Sequence, residues 1–295
     1  MKATRILCIG SVLWDVIGRS QAVMRVGSDV PGRITRLPGG VAMNIATTLH
    51  RFGLTPVLLT AIGRDEAGEE LIAHCDRLGM ETAHVYRSAD LPTDIYMAVE
   101  GANGLIAAIA DAHSLEAAGR KILEPLLDGP LGTPDAPWRG PVALDGNLTE
   151  RLLTEIASHA AFALADLRVA PASPGKALRL QPLLDCENAT LYVNREEAGL
   201  LLGRDTTSAA DAAERLVARG AARVLVTDGG DAAALGAPDG VIVSTPPKVL
   251  VTRVTGAGDT FMAAHIAAEL RGETGETALA AALATAARYV SGDIA

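Results

Sequence analysis

The sequence contains few aromatic residues and few cysteines. Its 295 residues include three Phe, four Tyr and two Trp, so the core must be built mainly from Ala, Leu, Val and Ile. The three cysteines, Cys8, Cys75 and Cys186, are odd in number and far apart, which argues against a disulfide framework and a cysteine-rich metal site. Unpaired cysteines are typical of a reducing compartment, and we therefore expect a cytoplasmic protein.

The sequence also lacks an excess of basic charge, long apolar runs and two well-known nucleotide motifs. A net charge of -9 argues against nucleic acids and anionic membranes as partners, although backbone N–H groups could still bind a small anion. The apolar run at Ile6–Gly10 is too short for a signal peptide or a membrane span. No GxxxxGK[ST] motif and no GxGxxG motif after a strand is present, which argues against P-loop chemistry and a dehydrogenase.

The sequence does contain a regular alternation of strand-like and helical patterns. A short apolar run at Ile6–Gly10 is followed by helical patterns at Ala42–Phe52 and Ala67–Leu78, with the strand-like Pro56–Gly63 between them. The same alternation resumes in the second half of the chain. It predicts an α/β fold in which a doubly wound, mainly parallel sheet has helices on both faces. We expect one domain over residues 1–295.

Two segments interrupt the alternation. Gly18–Pro38 is polar and has no helical period, and Thr93–Asp111 has the pattern of a β-hairpin with its turn at Gly101–Gly104. Hairpins inserted between βα units often cover a site at the sheet edge. We expect insertions at roughly 16–38 and 93–112 to form a small β-sheet lid.

The stretch TGAGD, Thr255–Asp259, lies between an apolar run and an alanine-rich helical pattern. Glycines allow the backbone to approach a ligand closely, and the first N–H groups of a helix have no intrahelical partner, so this stretch could bind an anion. Asp259 would lie in the first helical turn, where a carboxylate competes with an anion unless it handles a nearby proton. The alternative is a simple helix cap, which is the commoner explanation for such a turn taken alone.

Two polar clusters lie in the first fifth of the chain. Gly39, Gly40 and Asn44 precede or begin a helical pattern, and they could approach and hydrogen-bond a polyhydroxy ligand. Asp15 follows the first predicted strand, where ligands of parallel sheets bind, and its carboxylate could accept both hydrogens of a vicinal diol. The alternative for the glycines and Asn44 is a simple turn followed by an Asn early in the helix. The alternative for Asp15 is a solvated aspartate in a loop.

Asn194 and Glu197 are three residues apart in the stretch VNREEAGLLLG. At the start of a helix this spacing places both side chains on one face, and an amide with a carboxylate suits a Mg²⁺ ion that keeps most of its water. The alternative is a capping box, because Asn-x-x-Glu is also a capping pattern.

Four segments, PGGVAMN, NREE, VTDGG and TGAGDTF, in this order resemble the motifs of the ribokinase (PfkB) family of sugar and nucleoside kinases. The resemblance covers nearly the whole chain. It implies a ribokinase-like fold and an ATP- and Mg²⁺-dependent transfer of phosphate to a hydroxyl group. Asp259 would be the base for that hydroxyl, and the N–H groups of Gly256, Ala257 and Gly258 would stabilise the transferred phosphate.

The resemblance also implies the binding residues. The residues that would hold the substrate are Asp15, Gly39, Gly40, Asn44 and Asn147. The residues that would contact ATP are Asn194, Thr227, Gly229, Gly256 and Gly258. Asn194 and Glu197 would organise Mg²⁺ through water molecules.

Two stretches are similar to the pseudouridine kinase subgroup of this family: GSDVPGRITRLPGGVAMN, and LIAAIADAHS in the hairpin. The second stretch makes Asp111 a candidate substrate contact. The resemblance implies phosphorylation of the 5′-hydroxyl of pseudouridine and, as in relatives, a homodimer formed through the lid. The alternatives are a kinase for ribose or another free sugar, and a non-catalytic sensor that binds a nucleoside.

The chain departs from the family pattern at three positions. Met43 stands where many relatives have a basic residue, which argues against a substrate that is already phosphorylated. Arg253 stands six residues before Asp259, where relatives that use K⁺ carry Asp or Asn, so we do not expect an ordinary monovalent-cation site. Ala232 stands where the nucleotide loop of relatives commonly has a glycine. An alanine is tolerated there if the local backbone is not left-handed.

Overall fold

The strands and helices follow the predicted alternation over most of the chain. The computed structural model describes residues 4–294. The strands are β1 (Arg5–Ile9), β2 (Leu13–Arg19), β3 (Arg33–Gly39), β4 (Thr55–Leu59), β5 (Ala61–Gly63), β6 (Tyr86–Ser88), β7 (Ile95–Gly101), β8 (Gly104–Asp111), β9 (Pro141–Asp145), β10 (Asp166–Ala170), β11 (Ala189–Asn194), β12 (Arg223–Thr227), β13 (Ala233–Ala237) and β14 (Gly240–Ser244). The α-helices are α1 (Val41–Arg51), α2 (Glu66–Arg77), α3 (His113–Ala118), α4 (Glu124–Leu127), α5 (Glu150–Ser158), α6 (Arg195–Leu202), α7 (Ala209–Ala218), α8 (Ala257–Leu270) and α9 (Gly275–Ser291).

Eight strands form the large sheet, in the order β14-β13-β12-β11-β10-β9-β1-β4. The strands from β12 to β4 are parallel to their neighbours, whereas β13 pairs antiparallel with β12 and with β14. The prediction of a doubly wound, mainly parallel sheet is therefore confirmed. None of the helices within residues 4–294 is long and apolar enough to cross a membrane.

The core lies on both faces of the large sheet, because successive strand residues point to opposite sides. In β1, Leu7 and Ile9 belong to one buried hydrophobic cluster, and Ile6 and Cys8 belong to the other. The first cluster includes apolar residues of α3, α5, α6 and α7, and the second includes those of α1, α2, α8 and α9. Helices cover both faces, as the alternation predicts.

A separate small sheet has the strand order β3-β2-β7-β8. Strand β2 pairs antiparallel with β3 and parallel with β7, and β7 and β8 form the predicted hairpin. The polar segment Gly18–Pro38, in which no individual strand was predicted, thus contains all of β3 except its last residue, Gly39. The side chains of β3 are largely exposed. Its sequence, RITRLPG, therefore does not show the alternation of apolar and polar residues from which a strand is inferred.

Other local predictions were wrong in detail. The single strand predicted at Pro56–Gly63 is divided at Thr60, whose carbonyl accepts a 2.9 Å hydrogen bond from the Tyr86 N–H. As a result β5 leaves the large sheet and pairs parallel with β6. The short helices α3 and α4 were not predicted.

Candidate active site

An open cleft of about 2060 Å³ lies where the carboxyl ends of the large sheet's strands face the small sheet. Most of the residues singled out from the sequence line this cleft. They are Asp15, Gly40, Asn44, Asn147, Asn194, Glu197, Thr227, Gly229, Gly256, Ala257, Gly258 and Asp259. The topology therefore brings together motifs that are up to 244 residues apart (259 − 15 = 244). Their position agrees with the general location of ligand sites in parallel α/β sheets.

Asp259 lies in the first turn of α8, and the amide of Asn44 donates a 2.8 Å hydrogen bond to its Oδ2 atom. Burial raises the pKa of Asp259 to about 7, and the hydrogen bond from Asn44 opposes part of this rise. A carboxyl group with this pKa accepts and releases protons near neutral pH. Asn44 holds that carboxyl group in this structure, a role that was not predicted for it.

The start of α8 provides backbone donors beside Asp259. Gly256 precedes the helix with a φ of 85°, in the left-handed region that favours glycine. The Ala257 N–H donates to the Val254 carbonyl at 3.0 Å, so it is engaged in the turn. Among residues 4–294, no backbone acceptor is seen for the Gly256 and Gly258 N–H groups. The predicted set of three amides is therefore reduced to two in this structure.

A buried hydrogen-bond network that was not predicted lies behind this site. Asp145, at the end of β9, is 0% exposed, and its Oδ2 accepts hydrogen bonds from the Ser11 N–H at 2.7 Å and the Ala42 N–H at 3.1 Å. The Ser11 hydroxyl donates to the same oxygen at 3.0 Å and accepts from the Val41 N–H at 2.9 Å. Burial raises the pKa of Asp145, but these donors stabilise its charged form. The network fixes the N-terminus of α1, which carries Asn44, to the end of β9.

Asn147 and Lys176 form another polar pair in the cleft. The Asn147 amide donates to the Ser11 hydroxyl at 2.8 Å, and the Asn147 Oδ1 accepts from the Lys176 ammonium at 2.5 Å. Burial lowers the pKa of Lys176, and the charge of Arg179 lowers it further. Lys176 was not predicted, since no motif in the sequence indicates that it faces the cleft.

Asp15 lies on β2 and faces the cleft, and burial raises its pKa to about 6. Gly39 does not line the cleft but lies directly behind Asp15. A Cβ atom on Gly39 would be 2.0 Å from Asp15 Oδ2, so only glycine leaves room for this carboxylate. Tyr96 is the register partner of Asp15 on β7 and also lines the cleft. Tyr96 was not predicted.

Asn194 and Glu197 form the capping box that was the alternative in the sequence. The Asn194 side chain accepts from the Glu197 N–H at 2.9 Å, and Glu197 Oε2 accepts from the Asn194 N–H at 2.8 Å. Both residues line the cleft, and burial raises the pKa of Glu197 to about 7. Within residues 4–294, no group of three or more His, Cys, Asp or Glu side chains could hold a metal ion. The pair therefore does not form a metal site with direct protein ligands alone.

Thr227 and Gly229 line the end of the cleft next to β12. Gly229 has a φ of 57°, which favours glycine at this position. All the described non-glycine residues have negative φ values, so Ala232 meets the condition that its backbone is not left-handed.

Asp111 does not line the cleft. It ends β8 with an exposed side chain, and its Oδ1 is 2.8 Å from the Nδ1 atom of His113. The hydrogen bond that protonated His113 donates to Asp111, together with the negative charge of Asp111, raises the pKa of His113. The two residues on either side of Asp111, Ala110 and Ala112, do line the cleft, because successive residues of an extended strand point to opposite faces. The role of Asp111 as a substrate contact stays a prediction.

Comparisons with known proteins agree with this architecture. Residues 3–292 match the family model described as pfkB family carbohydrate kinase. A pseudouridine kinase of Escherichia coli (strain K12) is 29% identical over 264 residues, which are 88% of this chain and 81% of that protein.

Solved structures give the same result. A carbohydrate kinase from Agrobacterium tumefaciens is 26% identical with a TM-score of 0.80, over 99% of this chain and 94% of the other. Arabidopsis thaliana ribokinase, complexed with ribose and ATP, is 23% identical with a TM-score of 0.79, over 98% of this chain and 93% of the other. At that identity the second likeness shows the fold alone, which is ribokinase-like.

Proposed function

The chain belongs to the pfkB family of carbohydrate kinases, and from this premise we propose that it transfers the γ-phosphate of ATP to the 5′-hydroxyl of pseudouridine. As a member of this family it is a phosphotransferase that acts on a hydroxyl group of a sugar or nucleoside. The products of the proposed reaction are pseudouridine 5′-phosphate and ADP. The identity of the acceptor is the part of the proposal that needs a test.

One observation carries the proposal: a carboxyl group with a pKa of about 7 and two unengaged glycine amides lie at the same helix N-terminus inside the cleft. Asp259 accepts the proton of the substrate hydroxyl as its oxygen attacks the γ-phosphorus. The bond from that phosphorus to the β,γ-bridging oxygen breaks, and ADP leaves. The Gly256 and Gly258 N–H groups, with the positive end of α8, stabilise the negative charge on the transferred group.

Asp145 and Ser11 serve this reaction indirectly. They contact the first residues of α1, and α1 presents Asn44, which is hydrogen-bonded to Asp259. The network thus orients the base without contacting the substrate. A base that is held in place needs little rearrangement at the moment of proton transfer.

Mg²⁺ would neutralise charge on the phosphates of ATP when it is bound. In our proposal Glu197 receives it through water, because the Glu197 carboxylate lines the cleft and only its Oε2 atom is engaged in the capping box. Asn194 acts mainly by holding the start of α6 in place. This arrangement suits Mg²⁺, which usually retains several water ligands and binds substrate phosphates. Thr227 and Gly229 would contact the nucleotide.

A nucleoside acceptor is favoured over a free sugar by the pairing of Asp15 with Tyr96. Asp15 would accept hydrogens from the ribose diol, while the Tyr96 ring on the adjacent strand would contact the attached base. The similarity to a pseudouridine kinase over 88% of the chain supports the same choice. Met43 at the start of α1 is uncharged and buried, which argues against a phosphorylated acceptor.

Two other functions remain to be tested against this one. A kinase for ribose or another free sugar would use the same base and amides but would not need Tyr96. A nucleoside sensor without activity would bind the acceptor and fail to transfer phosphate, and the pairing of Asn44 with Asp259 argues against it.

We also propose that the small sheet acts as a lid and joins two copies of the chain. Strand β8 is an edge strand, and the side chains of Leu105 and Ile109 on it are 60% and 63% exposed. An apolar edge strand is a suitable surface for pairing with a second copy. Replacement of Ile109 by Lys should convert a dimer into a monomer in sedimentation analysis, and a wild-type monomer would refute the proposal.

The main experiment measures ADP release from Mg-ATP with pseudouridine, uridine, adenosine and ribose as acceptors. We expect the highest kcat/KM with pseudouridine, and mass spectrometry should detect a 5′-monophosphate. Turnover of ribose but not of pseudouridine would favour the sugar kinase. Binding of pseudouridine by calorimetry without any turnover would favour the sensor.

A further inference from the structure

Arg253 lies just before the glycine-rich turn and contacts the end of the last helix. Its Nε atom donates a 2.8 Å hydrogen bond to the Tyr289 carbonyl, and its Nη2 atom donates to the Ile294 carbonyl. The guanidinium carbon is 3.8 Å from the centroid of the Tyr289 ring. A charged guanidinium thus bridges two carbonyl oxygens and an aromatic face, a combination that suits arginine and not lysine.

The same aromatic residue contacts the backbone of the turn. The Tyr289 hydroxyl donates to the Thr255 carbonyl at 2.9 Å, and the Thr252 N–H donates to the Val290 carbonyl at 2.8 Å. A Cβ atom on Gly256 would be 2.6 Å from the Tyr289 hydroxyl. Arg253 and Tyr289 together therefore hold the segment Thr252–Gly256 against the end of α9.

This arrangement does not fit the monovalent cation of relatives that use K⁺, in line with the expectation from Arg253 in the sequence. An arginine side chain has donors only and stays protonated, so it cannot be a ligand for a metal cation. Its charge also repels a second cation at close range. The carbonyl oxygens beside this guanidinium, those of Tyr289 and Ile294, accept N–H bonds from Arg253.

We propose that Arg253 is a positioning residue whose guanidinium takes the place of a bound monovalent cation and fixes the phosphate-binding amides of Gly256 and Gly258. The positive charge is covalently attached and always present. Activity should therefore be independent of K⁺ in this chain. The inference depends on the kinase chemistry of the site but not on which acceptor is used.

The first test uses the wild-type enzyme with Mg-ATP at constant ionic strength, in K⁺, Na⁺ or tetramethylammonium chloride. Rates should agree within about twofold in the three salts, because screening by salt is then the same. Activation by K⁺ of more than about fivefold over tetramethylammonium would overturn the proposal. The slow hydrolysis of ATP without an acceptor is measured alongside phosphate transfer, so that a wrong acceptor does not obscure the cation response.

The second test replaces Arg253 by Asn, which removes the charge and provides an oxygen ligand. We expect kcat to fall about tenfold or more while the KM for the acceptor changes less than about threefold, because the amides act on the transferred phosphate. Addition of K⁺, but not of tetramethylammonium, should restore part of the lost kcat. Arg120→Asn, which removes an exposed arginine paired with Glu155, is the matched control and should behave as wild type.

A purely structural role for Arg253 predicts a different result. In that case Arg253→Asn would lower the melting temperature and leave the kcat of the folded fraction unchanged, which would overturn the proposal. If this variant does not fold, Tyr289→Phe supplies the second measurement, since it removes only the hydrogen bond to Thr255. Its kcat should fall about threefold or more with an unchanged KM for the acceptor, and an unchanged kcat would overturn the proposal.

Discussion

The side-chain amide of Asn44 donates a 2.8 Å hydrogen bond to the carboxylate of Asp259, and this contact joins the N-terminus of α1 to that of α8. The donor stabilises the ionised carboxylate, whereas burial favours the neutral form. The balance leaves Asp259 with a pKa of about 7. Two segments 215 residues apart thus set the ionisation of one carboxyl group.

Replacement of Asp259 by Asn should lower kcat/KM by about two to four orders of magnitude, because general-base catalysis typically contributes this factor. The variant retains nearly the same shape, so ATP should still bind. The measurement is ADP release under steady-state conditions, with calorimetric titration of ATP as the control. A variant with wild-type activity would remove Asp259 from the mechanism.

The pH dependence of kcat/KM should report the ionisation of Asp259. Since the base must be deprotonated, activity should rise with pH and level off above an apparent pKa of about 7. Replacement of Asn44 by Leu removes the donor that lowers this pKa, and the midpoint should therefore move to higher pH. A midpoint that stays in place after this change would contradict the assigned role of Asn44.

Asp259 should also reduce the stability of the fold at neutral pH. Its folded-state pKa of about 7 lies above the ordinary value of 3.8, so the unfolded chain releases this proton first. The native state therefore loses stability as pH rises between these two values. We expect Asp259→Asn to raise the melting temperature by roughly 2–4 °C at about pH 8 and by less at about pH 5. Scanning calorimetry of wild type and Asp259→Asn at both pH values measures the two rises in melting temperature. An equal rise at both pH values would contradict this explanation.

Replacement of Gly39 by Ala should weaken binding of the acceptor. The added carbon would lie 2.0 Å from Asp15 Oδ2, so the carboxylate must move from its position in the cleft. We expect the KM for the acceptor to rise about tenfold, with a smaller effect on the KM for ATP. Gly18→Ala, on the same strand as Asp15, is the matched control because its added carbon would make only ordinary contacts at 3.8 Å. Equal effects of the two substitutions would refute the steric argument.

Replacement of Tyr96 by Ala should separate nucleosides from free sugars. Stacking of a base on an aromatic side chain contributes about 1–3 kcal/mol, so the KM for pseudouridine should rise about tenfold while turnover of ribose is unaffected. Tyr96→Phe keeps the ring and should stay close to wild type. Similar losses with both acceptors would show that Tyr96 does not contact a base.

Some parts of this molecule could be predicted from the sequence because the signals are local. The helix predicted at Ala42–Phe52 is observed at Val41–Arg51, since the apolar period and the flanking glycines lie within the segment itself. The capping box of Asn194 and Glu197 was equally visible as a spacing of three residues. The position of the TGAGD stretch at a helix start was clear for the same reason.

Other parts could not be predicted because they depend on partners far away in the chain. The role of Asp145 requires Ser11, which is 134 residues away, and nothing near Asp145 indicates that its carboxylate is buried. Lys176 lies in a 3₁₀ helix, Pro174–Leu183, and it reaches the cleft because this helix lies beside Asn147. Asp111 points away from the cleft because side chains alternate along β8. The sequence does not show which of the two faces of β8 is turned toward the cleft.

The long separation between Asn44 and Asp259 has a consequence for how the protein is made. The first strand, the small sheet and α1 leave the ribosome well before α8 and α9, yet the start of α8 carries the proposed base and the proposed phosphate-binding amides. Helices α1 and α2 cover part of one face of the large sheet, but the part that α8 and α9 cover stays open until the last fifth of the chain has been synthesised. The nascent chain must therefore pass through a stage in which residues that α8 covers, such as Tyr192 beside Phe261, are unprotected. It acquires its chemistry only when synthesis is nearly finished.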